Sequence, residues 1–393
     1  MGNVRQATAV GAETDSTAAT GAPPRRAARR SRLTGVDAAR GVALIGMMAV
    51  HVLPSETFDG DRTVYFAIAG GRSAAAFAVL AGVGLALWSG GDRPRFAPGA
   101  TSALVIRALA IGAIGGLLGM VDSGLAVILP YYALLFLFAV PLIRLRARTL
   151  AAIAAGVALV VPVVGHLVRP WLPALGDGNL LAELTLTGYY PALAWLTYLC
   201  AGLAVGRLAL RSARTALGLL VGGALLALAA WAVSSYLLEV AGGRERLAAT
   251  TGLAVDSVEL QQRLTMTNFG TTPTDSWWWL ASMAPHSSTT FDLVHTTGTA
   301  LALLGAALLV GRAVPRLVLP LAAAGSIPLT LYSAHVLVVQ ARFVPADPEF
   351  AYAWQAGVAL AFATAWRWTG RRGPLEGLVT GLSNLARRPA VRP

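Results

Sequence analysis

Long apolar segments separated by shorter polar connections dominate this chain and limit what it can fold into. About ten of them are long enough to cross a lipid bilayer as a helix. Hydrophobic residues make up 56% of the 393 residues and charged residues only 13%, which excludes an ordinary soluble domain. We therefore predict an all-α, polytopic integral membrane protein that crosses the cell (plasma) membrane repeatedly. The predicted spans are 36–53, 64–88, 102–120, 124–143, 149–168, 190–206, 215–238, 290–311, 317–340 and 351–368.

The charges between the apolar segments alternate along the chain. All 31 basic residues are arginine, and they cluster after every second span, whereas most acidic residues lie in the other connections. Cytoplasmic connections carry the excess of positive charge in membrane proteins, so we predict that the N- and C-termini are both cytoplasmic. These topology signals account for the net charge of +12, and we expect no nucleic-acid partner.

Composition divides the chain into three parts. Residues 1–33 are rich in Ala, Gly, Thr and Arg and are predicted to be a disordered cytoplasmic tail. Residues 34–370 are predicted to form the membrane domain, and residues 371–393 a second cytoplasmic tail. The single cysteine, Cys200, rules out an intrachain disulfide, and the sequence indicates no metal site.

One connection, residues 239–289, is much longer than the others and is predicted to be extracytoplasmic. It contains three consecutive tryptophans, 277–279. They indicate a helix that lies in the membrane interface, or alternatively a platform on which a sugar-like acceptor stacks. Trp278 is the candidate acceptor-binding residue in the second interpretation.

The first span carries ionisable residues within an apolar run. Arg40 and His51 are eleven residues apart. At about 100° and 1.5 Å per residue they share a helix face and are separated by about 16 Å along the axis. Ionisable groups are costly inside a hydrophobic span, so we interpret them as functional, although Arg40 could also serve only as a topology signal. Histidine suits a general base near neutral pH. Asp37 lies one turn before Arg40 and can pair with it, and Thr34 with Asp37 fits a capping box.

Further polar residues lie in or beside the later spans. Arg72 either lines a pocket or pairs with an acid of the preceding loop. Asp292 and His295 are three residues apart on one helix face, where they form a structural pair or bind substrate. Tyr332 and His335 have the same spacing and suggest a site in the ninth predicted span.

Four stretches of the chain carry a resemblance to known enzymes. Residues 32–51 read RLTGVDAARGVALIGMMAVH and resemble the first span of membrane-bound acyltransferases, most of all bacterial relatives of heparan-α-glucosaminide N-acetyltransferase. Within this stretch, ten residues separate the arginine from the histidine. This spacing is similar to that of the acyltransferase-3 family, which O-acylates surface glycans. Residues 70–82, 284–292 and 325–335 are similar to further segments of the first group.

The resemblance implies an acyl-CoA-dependent acyltransferase. Such an enzyme would move an acyl group, in the first place acetyl, from cytoplasmic acyl-CoA to an oxygen or nitrogen of an extracytoplasmic glycan or small molecule. Acetyl-CoA would be the co-substrate, with no metal, and the bilayer and the acceptor would be the partners. A homodimer is left open.

The resemblance also suggests a role for each candidate residue. The glucosaminide enzymes are thought to use a histidine in the loop after the first span, but this chain has none between His51 and His166, so His51 is expected to take that role. The candidate catalytic residues are His51, His286 and His335. The candidates for binding acyl-CoA are Asp37, Arg40, Arg72, Arg93 and Arg95. The candidates for binding the acceptor are Trp278, Asp292, His295 and Tyr332, and those for donating to the oxyanion are Ser73, Tyr332 and His335.

A secondary transporter or exporter of a small polar solute is the alternative function. In that case Arg40, His51, Arg72 and His335 would line the path. A transporter predicts pseudo-symmetric broken helices near the membrane midplane, whereas an acyltransferase predicts a tunnel open at both faces. The two halves of the sequence show no internal repeat, which favours the enzyme.

Overall fold

Helices make up almost all of the regular structure in this protein. The computed structural model describes Gly2 and residues 33–92, 98–121, 123–175, 179–341 and 345–385, except for the side chains of 173–175. Within these ranges no strand occurs, and one isolated bridge pairs Glu56 with Arg62. The predicted all-α class is therefore confirmed. The tail predicted over residues 1–33 lies outside the described residues, apart from Gly2 and Leu33.

The helices follow one another with short connections in most places. In chain order they are α1 (Thr34–Val52), α2 (Val64–Ala69), α3 (Arg72–Trp88), α4 (Ala100–Gly119), α5 (Leu129–Leu142), α6 (Ala147–Val168), α7 (Leu180–Ala182), α8 (Ala192–Gly206), α9 (Ala213–Ser235), α10 (Gly243–Thr251), α11 (Val258–Thr265), α12 (Thr290–Ala313), α13 (Leu319–Ala324), α14 (Pro328–Gln340), α15 (Pro348–Trp368) and α16 (Pro374–Leu385). Short 3₁₀ or π segments occupy Arg169–Leu175, Glu183–Thr187, Tyr236–Val240 and Trp277–Ala281.

Among the described residues, six helical segments are long and apolar enough to cross a membrane, so the chain is a membrane protein. They are Thr34–Val52, Val64–Trp88, Ala100–Gly119, Ala147–Leu172, Ala213–Val240 and Thr290–Ala313. Each predicted span coincides with helical structure, but the structure does not confirm a count of ten. α5 and α8 have only 14 and 15 residues. A helix of that number of residues is about 22 Å long, whereas the hydrocarbon core of a bilayer is about 30 Å thick. The span predicted over 317–340 is broken into α13 and α14, and α15 is long but less apolar than the six.

The outer faces of α4, α6 and α9 expose many large apolar side chains. Leu117 on α4, Leu159 on α6 and Leu225 on α9 are 67%, 59% and 60% exposed. A continuous apolar surface of this kind is rare on soluble proteins because it drives aggregation. Lipid tails are as apolar as leucine and can cover it. These faces therefore mark the lipid-contacting perimeter of the bundle.

α1 packs against several helices of the bundle, including α3, α12, α13 and α15. Its backbone comes very close to α13, because Gly41 lies against the carbonyl of Leu321. Gly325, in the break after α13, lies in the same way against the carbonyl of Asp37. A side chain at either glycine would overlap backbone atoms, and small residues are what allow helices to approach this closely in a membrane. The break between α13 and α14 therefore lies beside the charged start of α1.

The long connection 239–289 folds around a small core of its own. α10, α11 and the segment Trp277–Ala281 bury apolar side chains that include Leu247, Leu260 and Trp279. The indole nitrogen of Trp279 donates a hydrogen bond of 2.7 Å to Asp275. This connection is therefore a packed element, which we call the loop domain, and it holds more than a single interfacial helix.

The predicted C-terminal tail contains a helix that belongs to the bundle. α16 packs against α4 and α14. Its Glu376 accepts hydrogen bonds from the backbone N–H groups of Leu329 and Thr330 and from the hydroxyl of Thr330. Carboxylates are favourable at helix N-termini, where the backbone N–H groups are unpaired. Glu376 thus anchors α16 to the start of α14.

Glycines at the contact between α3 and α8 allow the packing of these two helices to be tested. A Cβ at Gly202 would overlap the carbonyl of Val79 and lie 3.0 Å from Cα of Gly82. We expect Gly202→Ala to lower the unfolding free energy by about 1–3 kcal/mol, the usual cost of overpacking. The matched control is Gly222→Ala on α9, where a Cβ would meet nothing within 4 Å. Thermal unfolding in detergent should separate the two variants, and equal unfolding temperatures would contradict the close α3–α8 contact.

Candidate active site

The start of α1 forms a charged site around Asp37 and Arg40. Asp37 is buried, and its Oδ1 accepts a 3.1 Å hydrogen bond from Nη1 of Arg40. Nη2 of Arg40 donates to the carbonyl of Leu80 on α3, also at 3.1 Å. Gly84, one turn further along α3, leaves room for this guanidinium. The predicted pairing of Asp37 with Arg40 is present, but the predicted capping box is wrong. α1 begins after Leu33 without a side-chain cap, and the carboxylate is directed to Arg40 instead.

Further arginines lie around this site, which we call the arginine pole. Arg107, inside α4, interacts electrostatically with Arg40, Arg372 and Glu376. Its Nε is buried and has no hydrogen-bond partner among the described residues. Guanidinium groups at a partly buried position suit phosphate oxygens, which accept forked hydrogen bonds. The two other predicted acyl-CoA ligands at this end, Arg93 and Arg95, lie outside the described residues.

The other end of α1 forms a second polar site, where His51 meets His335 of α14. Nδ1 of His51 and Nε2 of His335 are 3.0 Å apart. Nδ1 of His335 lies 2.7 Å from Oε1 of Gln355 on α15. His335 and Gln355 are buried, whereas His51 is half-buried. We call this site the histidine pole, and by helix geometry it lies about 16 Å along α1 from Arg40.

His286, the third predicted catalytic histidine, lies in the loop before α12. It is close enough to His51 for the two imidazoles to interact electrostatically. Gly71, at the start of α3, adopts a φ of 68°, and a Cβ there would lie 3.1 Å from Cβ of Pro285. His286 itself has a φ of 58°, a conformation that residues other than glycine rarely adopt and that is enriched at functional sites. The structure therefore brings the other three resembling stretches towards His51, which itself belongs to the first.

Aromatic rings enclose the imidazole of His286. Its centroid is 4.7 Å from that of Tyr189, 5.3 Å from that of Tyr190 and 6.3 Å from that of Trp195, whose ring is nearly parallel to it. Burial lowers the pKa of His286 to about 4, because the surroundings penalise the charged ring. The imidazole is therefore neutral at physiological pH. Aromatic faces beside a polar ring edge can hold an amphipathic ligand such as a sugar.

Arg72 and His295 form a third polar contact, between α3 and α12. Nε of Arg72 donates to Nε2 of His295 at 3.2 Å, and Nδ1 of His295 lies 3.0 Å from the carbonyl of Ala227. Arg72 does not pair with an acid of the preceding loop. Asp292 and His295 do not hydrogen bond to each other, because Oδ2 of Asp292 accepts from the backbone N–H of Ser288 at 3.1 Å. Of the two alternative pairs, neither forms, since Arg72 contacts His295 and Asp292 contacts the backbone four residues before it.

Two predicted oxyanion donors lie on the helices that pack against α1. Ser73 is buried on α3, and its hydroxyl faces Gly46 on α1, about midway between Arg40 and His51. Tyr332 lies one turn before His335 on α14, and its oxygen accepts a 3.3 Å hydrogen bond from the backbone N–H of Ile128. The proton of the Tyr332 hydroxyl is then available for a further partner.

The three tryptophans do not form a common stacking surface. Trp277 lies 4.5 Å from the ring of His166, and Trp278 lies beneath the guanidinium of Arg246, 4.8 Å away. The third ring is buried in the core of the loop domain. Trp278 is thus part of the loop domain, and the aromatic rings around His286 are other residues.

Several residues of this site escaped the sequence analysis. Arg107 is a charged residue within an apolar span, and that position could have marked it as a candidate. The sequence does not show that it lies near Arg40. Gln355 is one uncharged polar residue in α15, and the neighbouring residues in the sequence do not indicate a functional site there. Tyr189 and Trp195 lie at a helix start among many other aromatic residues, so their convergence on His286 depends on the tertiary structure.

Comparison with known protein families identifies a relationship for this chain. The family model described as heparan-alpha-glucosaminide N-acetyltransferase, catalytic, matches residues 32–239, which is more than half of the chain. The resemblance noted in the sequence is therefore confirmed. No curated protein and no solved structure matches the chain.

The burial of His286 predicts a loss of stability in acid. The pKa is about 4 in the folded protein and about 6.5 in an unfolded chain, so protons bind the unfolded state first. The stability due to the neutral ring is complete above pH 6.5 and is lost as the pH falls towards 4, by about 2 kcal/mol at pH 5. His286→Asn, which tolerates the left-handed backbone, should reduce the drop in unfolding temperature between pH 7.5 and 5. An equal drop in the wild type and the variant would contradict the prediction.

Proposed function

Because the chain belongs to the heparan-α-glucosaminide N-acetyltransferase catalytic family, we propose that it transfers an acyl group across the membrane. The donor is cytoplasmic acyl-CoA, in the first place acetyl-CoA, and the acceptor is an amine or hydroxyl of an extracytoplasmic glycan or small molecule. The observation that carries this proposal is the presence of two separate polar sites on α1. One contains arginines around Arg40, and the other contains histidines around His51.

The orientation of α1 follows from the distribution of arginine. The connections that contain the arginine clusters are cytoplasmic by the positive-inside rule, which puts both termini and the arginine pole on that side. The histidine pole then lies towards the extracytoplasmic side, near the loop domain. Acyl-CoA is made in the cytoplasm, so donor and acceptor approach from opposite faces of the plasma membrane.

The arginine pole is suited to the phosphates of acyl-CoA. Arg40 is held in place by Asp37 and Leu80, and Arg107 contributes a second guanidinium from α4. Arginine binds phosphate through planar, charge-assisted forks, which gives orientation as well as affinity. The separation of about 16 Å along α1 is close to the length of the pantetheine arm, so the thioester would reach His51.

The histidine pole is suited to general base catalysis. Nε2 of His51 would take the proton of the acceptor while the acceptor nitrogen or oxygen attacks the thioester carbon. Ser73 and Tyr332 would donate to the oxyanion that forms. The carbon–sulfur bond then breaks, and the CoA thiolate leaves and recovers the proton from His51. The acyl group is left on the acceptor, and all protons are accounted for.

The aromatic rings around His286 are the proposed surface for the acceptor. Tyr189 and Trp195 lie beside His286, and His286 is close enough to His51 for the two rings to interact electrostatically. A sugar-like acceptor stacked there would present a hydroxyl or amine to the base. Asp292 and His295 remain proposed contacts for its polar groups. We propose Arg72 as a third contact, in place of the acyl-CoA role predicted for it, because it donates to His295.

A secondary transporter is the competing function, because the bundle contains two broken helices. One break separates α2 from α3 beside Pro285, and the other separates α13 from α14 beside Asp37. The first break lies beside the middle of α1, because Ala69 and Ser73 on either side of it face Gly46, and the second lies beside the start of α1. The two breaks therefore do not meet, whereas transporter breaks meet near the midplane. Purified protein in detergent should release free CoA from acetyl-CoA in a saturable manner. Proton-coupled solute uptake by proteoliposomes without any CoA release would overturn the enzyme.

Arg40 tests the donor site. We expect Arg40→Ala to weaken acetyl-CoA binding by about 1.5–3 kcal/mol, because a charge-assisted hydrogen bond to phosphate is lost. Calorimetric titration in detergent measures this change, and Arg40→Lys should recover only part of it. The double variant Asp37→Asn, Arg40→Ala also removes the charge of Asp37, which loses its ion pair with Arg40 in the single variant. Arg246→Ala in the loop domain is the matched control. If folded Arg40→Ala binds acetyl-CoA with normal affinity, Arg40 serves only as a topology signal.

His51 tests the chemical step. A positioned base contributes about 10²–10⁴-fold, so His51→Ala should lower kcat by that factor with acetyl-CoA and glucosamine as substrates. KM for acetyl-CoA should stay the same if it reflects binding, since the phosphates are bound at the other pole. His166→Ala, which removes a ring in contact with Trp277, is the control. Near-normal turnover of folded His51→Ala, with loss of turnover in His286→Ala alone, would move the catalytic base to His286.

A further inference from the structure

Gln355 is the last member of a hydrogen-bonded row that begins at His51. The row runs from Nδ1 of His51 to Nε2 of His335 over 3.0 Å, and from Nδ1 of His335 to Oε1 of Gln355 over 2.7 Å. Its members come from α1, α14 and α15. His335 and Gln355 are 4% and 6% exposed, so little water can compete for these atoms.

The row fixes which nitrogen of each histidine carries a proton. An amide oxygen only accepts, so the group facing it, Nδ1 of His335, must donate. In a neutral imidazole the other nitrogen is then an acceptor, which makes Nε2 of His335 the acceptor and Nδ1 of His51 the donor. Nε2 of His51 is left without a proton. Because His51 is half-buried and the described residues provide no partner for Nε2, that lone pair is open to a substrate.

We infer that Gln355 is a positioning residue for acyl transfer, which keeps His51 in the tautomer that can accept a proton. This inference rests on the proposed function. Gln355 touches neither substrate and acts only through His335. The same row also spreads the charge that His51 acquires, because the proton on its Nδ1 can shift to Nε2 of His335 while His335 still donates to Gln355.

The orientation of the Gln355 amide decides the direction of the row. With the amide reversed, its NH₂ group would donate to His335, and each histidine would carry its proton on Nε2 instead. His51 would then have no free lone pair towards the substrate. In this structure the oxygen of the Gln355 amide faces His335, and the amide nitrogen is buried without a partner among the described residues. The two orientations of the amide predict opposite tautomers for His51 and His335, so the tautomers themselves report which one is present.

The tautomers can be observed without any substrate. We propose nitrogen NMR of protein labelled with ¹⁵N-histidine in detergent, with the five histidines assigned by single substitutions. Wild-type His51 and His335 should both show a protonated Nδ1 and an unprotonated Nε2. Gln355→Leu should mix the tautomers of His335 and His51, whereas Gln355→Glu, whose carboxylate only accepts, should preserve the pattern. A wild-type His51 protonated on Nε2 would overturn the inference.

Kinetics with acetyl-CoA and glucosamine complete the test. Gln355→Leu should lower kcat about 10- to 100-fold, the usual effect of removing a group that orients a functional histidine, and Gln355→Glu should recover most of it. KM for acetyl-CoA should not change. Thr364→Val, which removes a hydroxyl bonded within α15 itself, is the matched control. Unchanged tautomers and unchanged kcat in Gln355→Leu would overturn the inference. If the tautomers respond but no transfer occurs even in the wild type, the proposed function fails and the hydrogen-bonded row stands.

Discussion

The need to satisfy ionisable groups on an apolar helix governs the arrangement of this protein. In a bundle surrounded by lipid, a carboxylate, a guanidinium or an imidazole must find partners on neighbouring helices, because water is absent. Asp37 and Arg40 neutralise each other, and Arg40 also uses a carbonyl of α3. His51 finds its partner on α14. Since these partners lie on different helices and at different depths, they fix both the position and the rotation of α1 in the bundle.

The same constraint separates the two kinds of chemistry. Cations that suit phosphates lie at one end of α1, and neutral imidazoles that suit proton transfer lie at the other. A helix has a fixed rise of about 1.5 Å per residue, so this separation cannot vary as side chains move. An enzyme that takes its donor from one side of a membrane and its acceptor from the other requires such a fixed span. The glycines at positions 41 and 325 support it by allowing α13 to lie against the charged end of α1.

Local sequence patterns determined much of this architecture. Hydropathy located every helix that spans the bundle, because a segment without water must be apolar and satisfy its own backbone. The helical period placed Arg40 and His51 on one face, and the three-residue spacing placed Asp37 next to Arg40. The resemblance of residues 32–51 to membrane acyltransferases agreed with the family match over residues 32–239. All of these signals lie within one helix or one segment, where spacing along the chain determines distance in space.

Contacts between distant segments were decided only by the tertiary structure. The sequence favoured His51 as a base but could not show that His335, 284 residues away, contacts it, or that Gln355 fixes its tautomer. It likewise paired Asp292 with His295, whereas the loop backbone and Arg72 are their partners. Hydropathy also does not register where an apolar segment is short or broken, and among the described residues six helical segments have full spanning length. Side-chain partners across helices depend on how the helices pack and rotate, and neither a period of 3.6 residues nor a run of apolar residues specifies that.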